Sequence, residues 1–540
     1  MALRAKDTQY GPWTAGVMYD RAAEDVDEDG LAEMENMRIN PAGAVETRKG
    51  TVPYKGEAPV TDKTVLACGE FIDPPSTKRV FMVRGNKLYH YTSNDWADVS
   101  GSVAITWTSA SHDDNTFEWA NCNGVLILTN GVNPPIKWDP TADAVAADVD
   151  SRFTTAEHVA YWDNRVWYAN TNANSDRIWY SDLADIDTIQ ATSFYNLGLP
   201  ITGLMPTQNA LSIHTREGIH TLVPTGNATI PYQMQRRTEI GTISGRAIVV
   251  LPGNRQLFLR EDGIYMWSGG DETEKKSYAL DLGYWPALDA ANVGDKCFAL
   301  YFPRENEAWF WLPYPSTAGG TQAQMNHIMV YNDRFDIWYG PYTGTDTFFT
   351  RNCAALIDDR PHAGTLTSSS SVPGQLENHD PISTDANSDA ATKVHYSDDN
   401  KGATGTAIRA SFKTGAPAPE ESGNTVRWRH VRVYYDATSP VGNEDAELKV
   451  QYEQESGGVA GLTGSFDVSG GGFILGSSGL GQGKLATLRM LYQDLDLSEY
   501  DPHTSIRFSN NIKNQQFRIR RCHPTYTEIG RKRKASAGVV

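Results

Sequence analysis

The chain has 540 residues, and its 48 lysines and arginines against 66 aspartates and glutamates give a net charge of -18. This length exceeds what one hydrophobic core serves and predicts two or three domains. The acidic balance excludes a surface that coats nucleic acid, which would be basic, but it is compatible with a channel that DNA passes without sticking. The 25 tyrosines, 14 tryptophans and 47 glycines favour many short strands and turns over long helices.

The cysteines and the N-terminal sequence indicate the cellular compartment in which the protein folds. The five cysteines are odd in number and widely spaced, at Cys68, Cys122, Cys297, Cys353 and Cys522. This pattern favours buried thiols over a disulfide framework or a zinc site. The N-terminal sequence lacks the apolar core of a secretory signal, and no stretch approaches about 18 consecutive apolar residues. We therefore expect a protein made and folded in the cytoplasm, without a membrane-spanning segment.

Residues 1–55 are predicted to form an N-terminal arm that closes the next domain or contacts a neighbouring chain. Within the arm, Asp25, Asp27 and Asp29 alternate before a glycine. Three alternate carboxylates followed by Gly match the first half of a calcium loop. The twelfth position should be a bidentate Glu, but it is Asn36. A solvated acidic turn is therefore favoured over a calcium site.

Residues 56–363 are predicted to form a β-propeller of about six blades. In the stretch 253–269, two short apolar runs each follow a Gly-Asn or Asp-Gly turn, as in antiparallel hairpins. The pattern recurs, because an Asn stands before a strand-like run at six positions that are 37 to 52 residues apart. Short strands at such a period indicate propeller blades, with a pair of β-sandwiches as the alternative. The six turn asparagines are Asn86, Asn123, Asn164, Asn209, Asn254 and Asn306.

The rest of the chain changes character twice. Residues 364–404 are poor in large apolar side chains and are predicted to form a polar loop or linker. Residues 405–540 regain strand-like alternation and are predicted to form a β-sandwich-like tip or platform domain. The basic run at 531–534 is interpreted as a solvated tail, with an acidic partner or nucleic acid as the alternative. The predicted fold class is all-β.

Motifs for chemistry are weak throughout the sequence. The stretch GSSGLGQGK at 476–484 has Ser478 where a phosphate-binding loop needs Gly, and Leu485 where it needs Ser or Thr. Asp262 lies in DGIYMW, which resembles the end of a sialidase-type Asp box, but the preceding Ser is missing. A propeller glycosidase would need two facing carboxylates, and the sequence singles out no such pair. We therefore predict no enzymatic activity, no cofactor and no resident metal.

A resemblance comes from residues 34–54, MENMRINPAGAVETRKGTVPY, in which Asn36, Gly43, Arg48 and Gly50 form a spaced motif. This motif resembles the N-terminal entry of bacteriophage tail proteins. The propeller-period region and the C-terminal strands ending in QQFRIRRCHPTYTEIGRKRK are similar to the tail nozzle family of short-tailed phages, also called packaged-DNA stabilisation or tail tubular B proteins.

The resemblance implies a structural virion protein of the tail, assembled in the host cytoplasm. It implies a six-bladed propeller within a homohexameric ring below the portal and its adaptor ring. The lumen of that ring would retain packaged double-stranded DNA and conduct it at ejection, without sequence-specific binding. A tail fibre or spike is a further expected partner.

Two other functions remain open from sequence. One is a host-surface-binding tail protein, an adhesin, whose sandwich and aromatic loops bind glycans. The other is a propeller glycosidase, which two carboxylates facing each other in the central funnel would favour.

Overall fold

A computed structural model describes residues 6–54, 63–74, 76–92, 95–107, 115–146, 152–227, 230–294, 296–315, 324–344, 349–366, 375–380, 397–398, 406–416, 424–436, 447–454, 459–467, 490–496, 504–511 and 516–531. Strands dominate these residues. The helices among them are short 3-10 turns: Ala23–Asp25, Gly245–Ala247, Tyr278–Leu280 and Trp285–Ala287. None of the described helices is long and apolar enough to cross a membrane.

The N-terminal arm is a series of short strands rather than an independent unit. In chain order they are β1 Lys6–Asp7, β2 Gly16–Val17, β3 Gly30–Glu35, β4 Met37–Ile39, β5 Val45–Thr47 and β6 Val52–Pro53.

Six antiparallel four-stranded sheets follow, each built from consecutive strands. Blade 1 holds β7 Val65–Asp73, β8 Thr77–Arg84, β9 Lys87–Thr92 and β10 Asp95–Asp98; blade 2 holds β11 Glu118–Cys122, β12 Val125–Thr129, β13 Ile136–Trp138 and β14 Val145–Ala146; blade 3 holds β15 Ala156–Trp162, β16 Arg165–Thr171, β17 Arg177–Tyr180 and β18 Phe194–Asn196. Blade 4 holds β19 Ile201–Pro206, β20 Leu211–Thr215, β21 Gly218–Pro224 and β22 Tyr232–Thr238; blade 5 holds β23 Ile248–Leu251, β24 Arg255–Arg260, β25 Gly263–Trp267 and β26 Thr273–Lys275; blade 6 holds β27 Phe298–Phe302, β28 Glu307–Leu312, β29 His327–Asn332 and β30 Ile337–Tyr342.

A seventh blade closes the ring. It consists of β31 Arg351–Ile357, β32 Arg360–Thr365, β33 Leu376–Asn378 and, as its outer strand, β6 from the N-terminal arm. Its inner strand meets blade 1, where the Asn352 amide donates to the Val65 carbonyl at 3.3 Å and the Cys68 and Cys353 sulfurs lie 3.7 Å apart. The all-β propeller prediction is confirmed, with one blade more than the six units recognised in the sequence.

The domain bounds differ from those predicted. The propeller extends past residue 363, because β33 lies inside the predicted linker 364–404. The missed blade lacks a turn asparagine: its first turn uses Asp358 and Asp359, both left-handed, with φ of 51° and 59°. Aspartate tolerates this conformation as Asn does. The linker also contains β34 Ser397–Asp398, which pairs with β35 Thr406–Ala407.

The second domain is a sandwich of two six-stranded sheets. Its C-terminal strands are β36 Ala410–Thr414, β37 Asn424–Asp436, β38 Glu447–Gln454, β39 Val459–Asp467, β40 Met490–Asp496, β41 Thr504–Asn510 and β42 Arg518–Arg531. One sheet has the order β4-β5-β42-β37-β40, with β1 beside β42; the other has the order β2-β3-β36-β41-β38-β39. The sandwich therefore includes five strands of the arm and is not built from 405–540 alone.

The two domains share one hydrophobic core. Alternate residues of β37, such as Val431 and Val433, are buried together with residues of blades 5 and 6. Trp13 packs edge-on against Phe412, with ring centroids 5.2 Å apart. The remaining blade interfaces have smaller apolar clusters of their own. All five cysteines are buried and form no disulfide, as predicted. The segment 476–484 and residues 532–534 lie outside the described residues.

Candidate functional site

The motif that resembles phage tail proteins, Asn36, Gly43, Arg48 and Gly50, is buried where the arm, the propeller and the sandwich meet. Asn36 is 2% exposed and has a left-handed φ of 55°. Its amide oxygen accepts hydrogen bonds from the Thr343 backbone N–H and the Arg48 Nε, both at 2.7 Å. Its amide nitrogen donates to the Thr343 hydroxyl at 3.0 Å and to the Arg409 carbonyl at 2.8 Å. One side chain thus links blade 6 to the sandwich.

Arg48 completes this junction. Its guanidinium donates to the carbonyls of Thr343 and Lys49, each at 2.9 Å, and lies over the rings of Tyr342 and Phe349. Buried donors that are fully directed at carbonyls hold their neighbours in one arrangement. We name the group Asn36, Arg48, Thr343 and Arg409 the brace.

The glycines of the motif have local roles. Gly43 has a φ of 75° in the turn between β4 and β5, and a Cβ there would lie 2.8 Å from the Pro12 Cβ. Gly50 is buried just before β6. The motif therefore serves the packing of the arm against both domains.

Five of the six turn asparagines lie in the turn between the first and second strands of their blades. Four of these five, Asn123, Asn164, Asn254 and Asn306, have left-handed φ values of 55° to 60°, and Asn209 does not. Asn86 lies in the second turn of blade 1, between β8 and β9, where the left-handed residue is Gly85, with a φ of 54°. These positions are explained by backbone geometry.

The acidic turn is held by backbone hydrogen bonds. Asp25 ends a 3-10 helix, and the carbonyls of Asp27 and Asp29 accept backbone hydrogen bonds from Gly30 and Ala15. Within the part of the chain that the structure describes, no three His, Cys, Asp or Glu side chains lie close enough together to hold a metal. The three aspartates are exposed, as expected of a solvated turn.

A polar cavity of about 340 Å³ lies where the first strands of blades 2 to 6 begin. Its ionisable lining comprises Glu118, Glu157, His158, Arg216, Arg246 and Lys296. A second cavity of about 410 Å³ follows the same strands farther along, and Glu118 and Arg246 line both. We call the first cavity the axial pocket.

His158 lies between two carboxylates in this pocket. Its Nδ1 is 3.0 Å from Glu118 Oε1, and its Nε2 is 4.0 Å from Glu157 Oε2. Burial alone would lower the pKa of His158, because it disfavours the imidazolium. The charge and hydrogen bond of Glu118, the charge of Glu157 and the Ile201 carbonyl together outweigh this effect of burial and raise the pKa to about 9. At neutral pH the ring therefore carries a positive charge between Glu118 and Glu157.

Arg246 enters the pocket from blade 5. Its guanidinium donates to the carbonyls of Asn352 and Lys296, both at 3.0 Å, and lies 5.8 Å from the Phe298 ring centroid. Gly245 precedes it, and a Cβ there would lie 2.8 Å from Glu118 Oε1. A Cβ would also lie 2.8 Å from the Thr202 carbonyl oxygen, a backbone atom that cannot move aside, so this position needs a glycine.

Sequence reasoning did not single out these residues. Glu118 and His158 lie in the apolar runs FEWANC (117–122) and HVAYW (158–162), whose pattern predicts only strands. Glu118 is the first residue of β11, and His158 is the third residue of β15. Glu118 precedes its turn asparagine by five residues and His158 precedes its own by six, so aligning the blades by these asparagines does not bring the two side chains to one level.

His158 predicts a pH dependence of stability. Its folded pKa of about 9 lies above its ordinary value of 6.5, so its contribution is complete below pH 6.5 and is lost as the pH rises toward 9. We expect the free energy of unfolding to fall by about 2 kcal/mol between pH 6.5 and 8, before unfolded thiols ionise. Urea titrations across this range measure the slope.

The variant His158→Gln should flatten that slope. His220→Gln is the matched control, because burial and Arg236 lower the pKa of His220, which therefore titrates below this range. An unchanged slope in His158→Gln would contradict the assignment.

The comparisons with known proteins concern the propeller. No family model and no curated relative matches the chain. Among solved structures, the chain is similar to a virginiamycin B lyase from Staphylococcus aureus, with 11% identity and a TM-score of 0.40 over 61% of this chain and 98% of that one. It is also similar to a streptogramin B lyase, with 13% identity and a TM-score of 0.39 over 61% of this chain and 97% of that one. A third similar structure is the WD40 β-propeller domain of Doa1, with 7% identity and a TM-score of 0.38 over 61% of this chain and 96% of that one.

Identities and TM-scores this low transfer no activity, ligand or partner to this chain. The strand pairing itself defines the class: a β-propeller protein with seven four-stranded sheets and an attached β-sandwich.

Proposed function

We propose that the protein is a non-enzymatic building block of a phage tail nozzle, the conduit that retains packaged DNA and releases it at infection. Copies would form a ring, a hexamer by the family resemblance, that receives DNA from the head-to-tail adaptor. The observation that carries this proposal is the brace. The residues of the tail-protein-like motif, Asn36 and Arg48, lie at the junction that fixes the sandwich to the propeller.

A fixed junction suits a ring under load from packaged DNA. The brace and the shared core make one chain a stiff two-domain unit, so neighbouring copies can meet in one geometry. The acidic composition supports the same use, because negative lumen walls repel phosphate and let DNA slide.

The proposed lumen lies between chains and not within one propeller. The two cavities along the propeller axis measure about 340 and 410 Å³, which is the size of small-molecule sites. A DNA duplex, whose major groove alone is about 12 Å wide, needs far more room. Several copies around a common axis would provide it.

Electron microscopy of the purified full-length protein, with its mass measured by light scattering, tests the proposal. We expect a closed ring of about six copies with an open axial channel, and the same ring at the tail of virions. A protein that stays monomeric at every concentration and is absent from virions would refute it.

One observation favours a second candidate, a propeller glycosidase. Glu118 and Glu157 both line the axial pocket, on either side of His158. Glycoside hydrolysis needs one carboxyl group to donate a proton. Because His158 has a pKa of about 9, the imidazole holds the proton of this cluster at neutral pH. The arrangement is therefore better suited to binding than to hydrolysis.

A further inference from the structure

The axial pocket has more charge than the packing of blades requires. Apolar clusters pack the blade interfaces, such as the one around Val166 and Tyr168 between blades 2 and 3, and single ion pairs such as Arg255–Asp333 also bridge neighbouring blades. In the pocket, two carboxylates from blades 2 and 3 face basic residues from blades 4 to 6, a larger group of charges. His158 is buried and Glu118 is largely buried, which costs folding free energy.

The charged groups are oriented in advance. His158 is 2% exposed and is fixed by Glu118, while Glu157 accepts a hydrogen bond from the Asn170 amide. Arg246 is held by two carbonyl oxygens. A ligand would meet side chains that are already in place, which lowers the entropy cost of binding.

The balance of charge selects the ligand. Arg216 forms an exposed ion pair with Glu261 at 3.4 Å. Arg246, Lys296 and the His158 imidazolium still outweigh the two carboxylates, which favours an anion over a zwitterion or a cation. The carboxylates and the Asn170 amide suit hydroxyl groups, which both donate and accept hydrogen bonds. A guanidinium such as that of Arg246 suits a carboxylate.

We propose that the axial pocket binds a sugar acid, with the ligand carboxylate toward Arg246 and its hydroxyl groups toward Glu118 and Glu157. The volume of about 340 Å³ fits a small ligand of this kind. This binding proposal does not rest on the proposed ring, and either can fail without the other.

Calorimetric titration of the full-length protein with sodium glucuronate tests this proposal, with glucose and sodium acetate at equal ionic strength as comparison ligands. We expect saturable one-to-one binding of glucuronate, with glucose weaker by about tenfold or more and no competition from acetate. Glu157→Gln and Arg246→Lys should each weaken glucuronate binding by about tenfold.

Glu274→Gln and Arg260→Lys are the matched controls, because both side chains lie on blade 5 outside the pocket lining. They should bind glucuronate as the unmodified protein does, and all soluble variants should melt at the same temperature. If Arg246→Lys does not fold, Glu157→Gln decides alone. Equal affinity for glucose, displacement by acetate, no saturable binding, or pocket variants that match their controls would overturn the proposal.

Discussion

Replacing Asn36 with alanine is expected to lower the free energy of unfolding by about 3–5 kcal/mol, because it leaves several buried polar groups without a partner. The substitution removes the acceptor of the Thr343 N–H and of the Arg48 Nε, and the donor to the Arg409 carbonyl. Each orphaned buried group costs about 1–3 kcal/mol. Chemical denaturation, followed by tryptophan fluorescence, measures the loss.

Asn254→Ala is the matched control for this prediction. Asn254 has nearly the same backbone conformation, with a φ of 60° against 55° for Asn36, but it is exposed in the first turn of blade 5. Its replacement should cost about 1–2 kcal/mol, which is the penalty of a left-handed alanine alone. Equal losses of unfolding free energy at the two positions would show that the side-chain hydrogen bonds of Asn36 do not contribute to stability.

The Asn36 variant also bears on the proposed nozzle. If the brace fixes the sandwich to blade 6, amide hydrogen exchange should rise first in β36 and β30, which flank it, and later in blades 2 to 4. Ring formation should then fail before the propeller unfolds. If the variant forms normal rings although its junction is loosened, the brace is not required for ring assembly.

The second large loss of stability is expected from a substitution in the seventh blade. Arg351 and Glu377 form an ion pair at 2.5 Å, with side chains 1% and 4% exposed. Glu377→Gln removes the negative charge and leaves a buried guanidinium uncompensated, which should cost about 3–5 kcal/mol. Glu377 lies on β33, which pairs with the closing strand β6, so exchange of the Val52 amide should rise as well.

Asp494→Asn provides the control, because it neutralises a carboxylate in an exposed pair. Asp494 accepts two hydrogen bonds from Arg432 in the sandwich, and both side chains are about 40% exposed. Such a pair contributes about 0–1 kcal/mol. The double variant Arg351→Met with Glu377→Met should recover much of the lost stability, since an apolar pair of similar volume avoids the desolvation cost. A loss that is equally small at both sites would refute the buried-pair argument.

The sequence predicted the parts of the fold that depend on local pattern. Blades 1 to 6 were recognised because each is a run of consecutive strands with an Asn in its first turn or, in blade 1, in its second turn. Blade 7 was missed because Asp358 and Asp359 replace that residue and because its outer strand comes from residues 52–53. Pairing such as that of Pro53 with Glu377, far apart in the chain, leaves no local periodicity to detect.

The candidate site was harder to predict than the fold. The motif residues Asn36 and Arg48 were identified by resemblance, but their contacts with Thr343 and Arg409 depend on the docking of two domains. The Glu118–His158 pair joins two blades, and its level in the channel depends on strand register. Spacing along the chain predicts which residues begin a strand, but not which of them meet across an axis.

The strand pairing of the N-terminal arm has a consequence for synthesis on the ribosome. Strands β1, β3, β5 and β6 each pair with a strand that lies beyond residue 350. At about 5–20 residues per second, the arm therefore waits on the order of a minute for its partners. During that time the edges of the arm strands are unpaired, and the seventh blade of the propeller lacks its outer strand, β6. The propeller can close only after residue 378 has been made, and the sandwich only after β42, so a chain that ends between these points has a closed propeller and an incomplete sandwich.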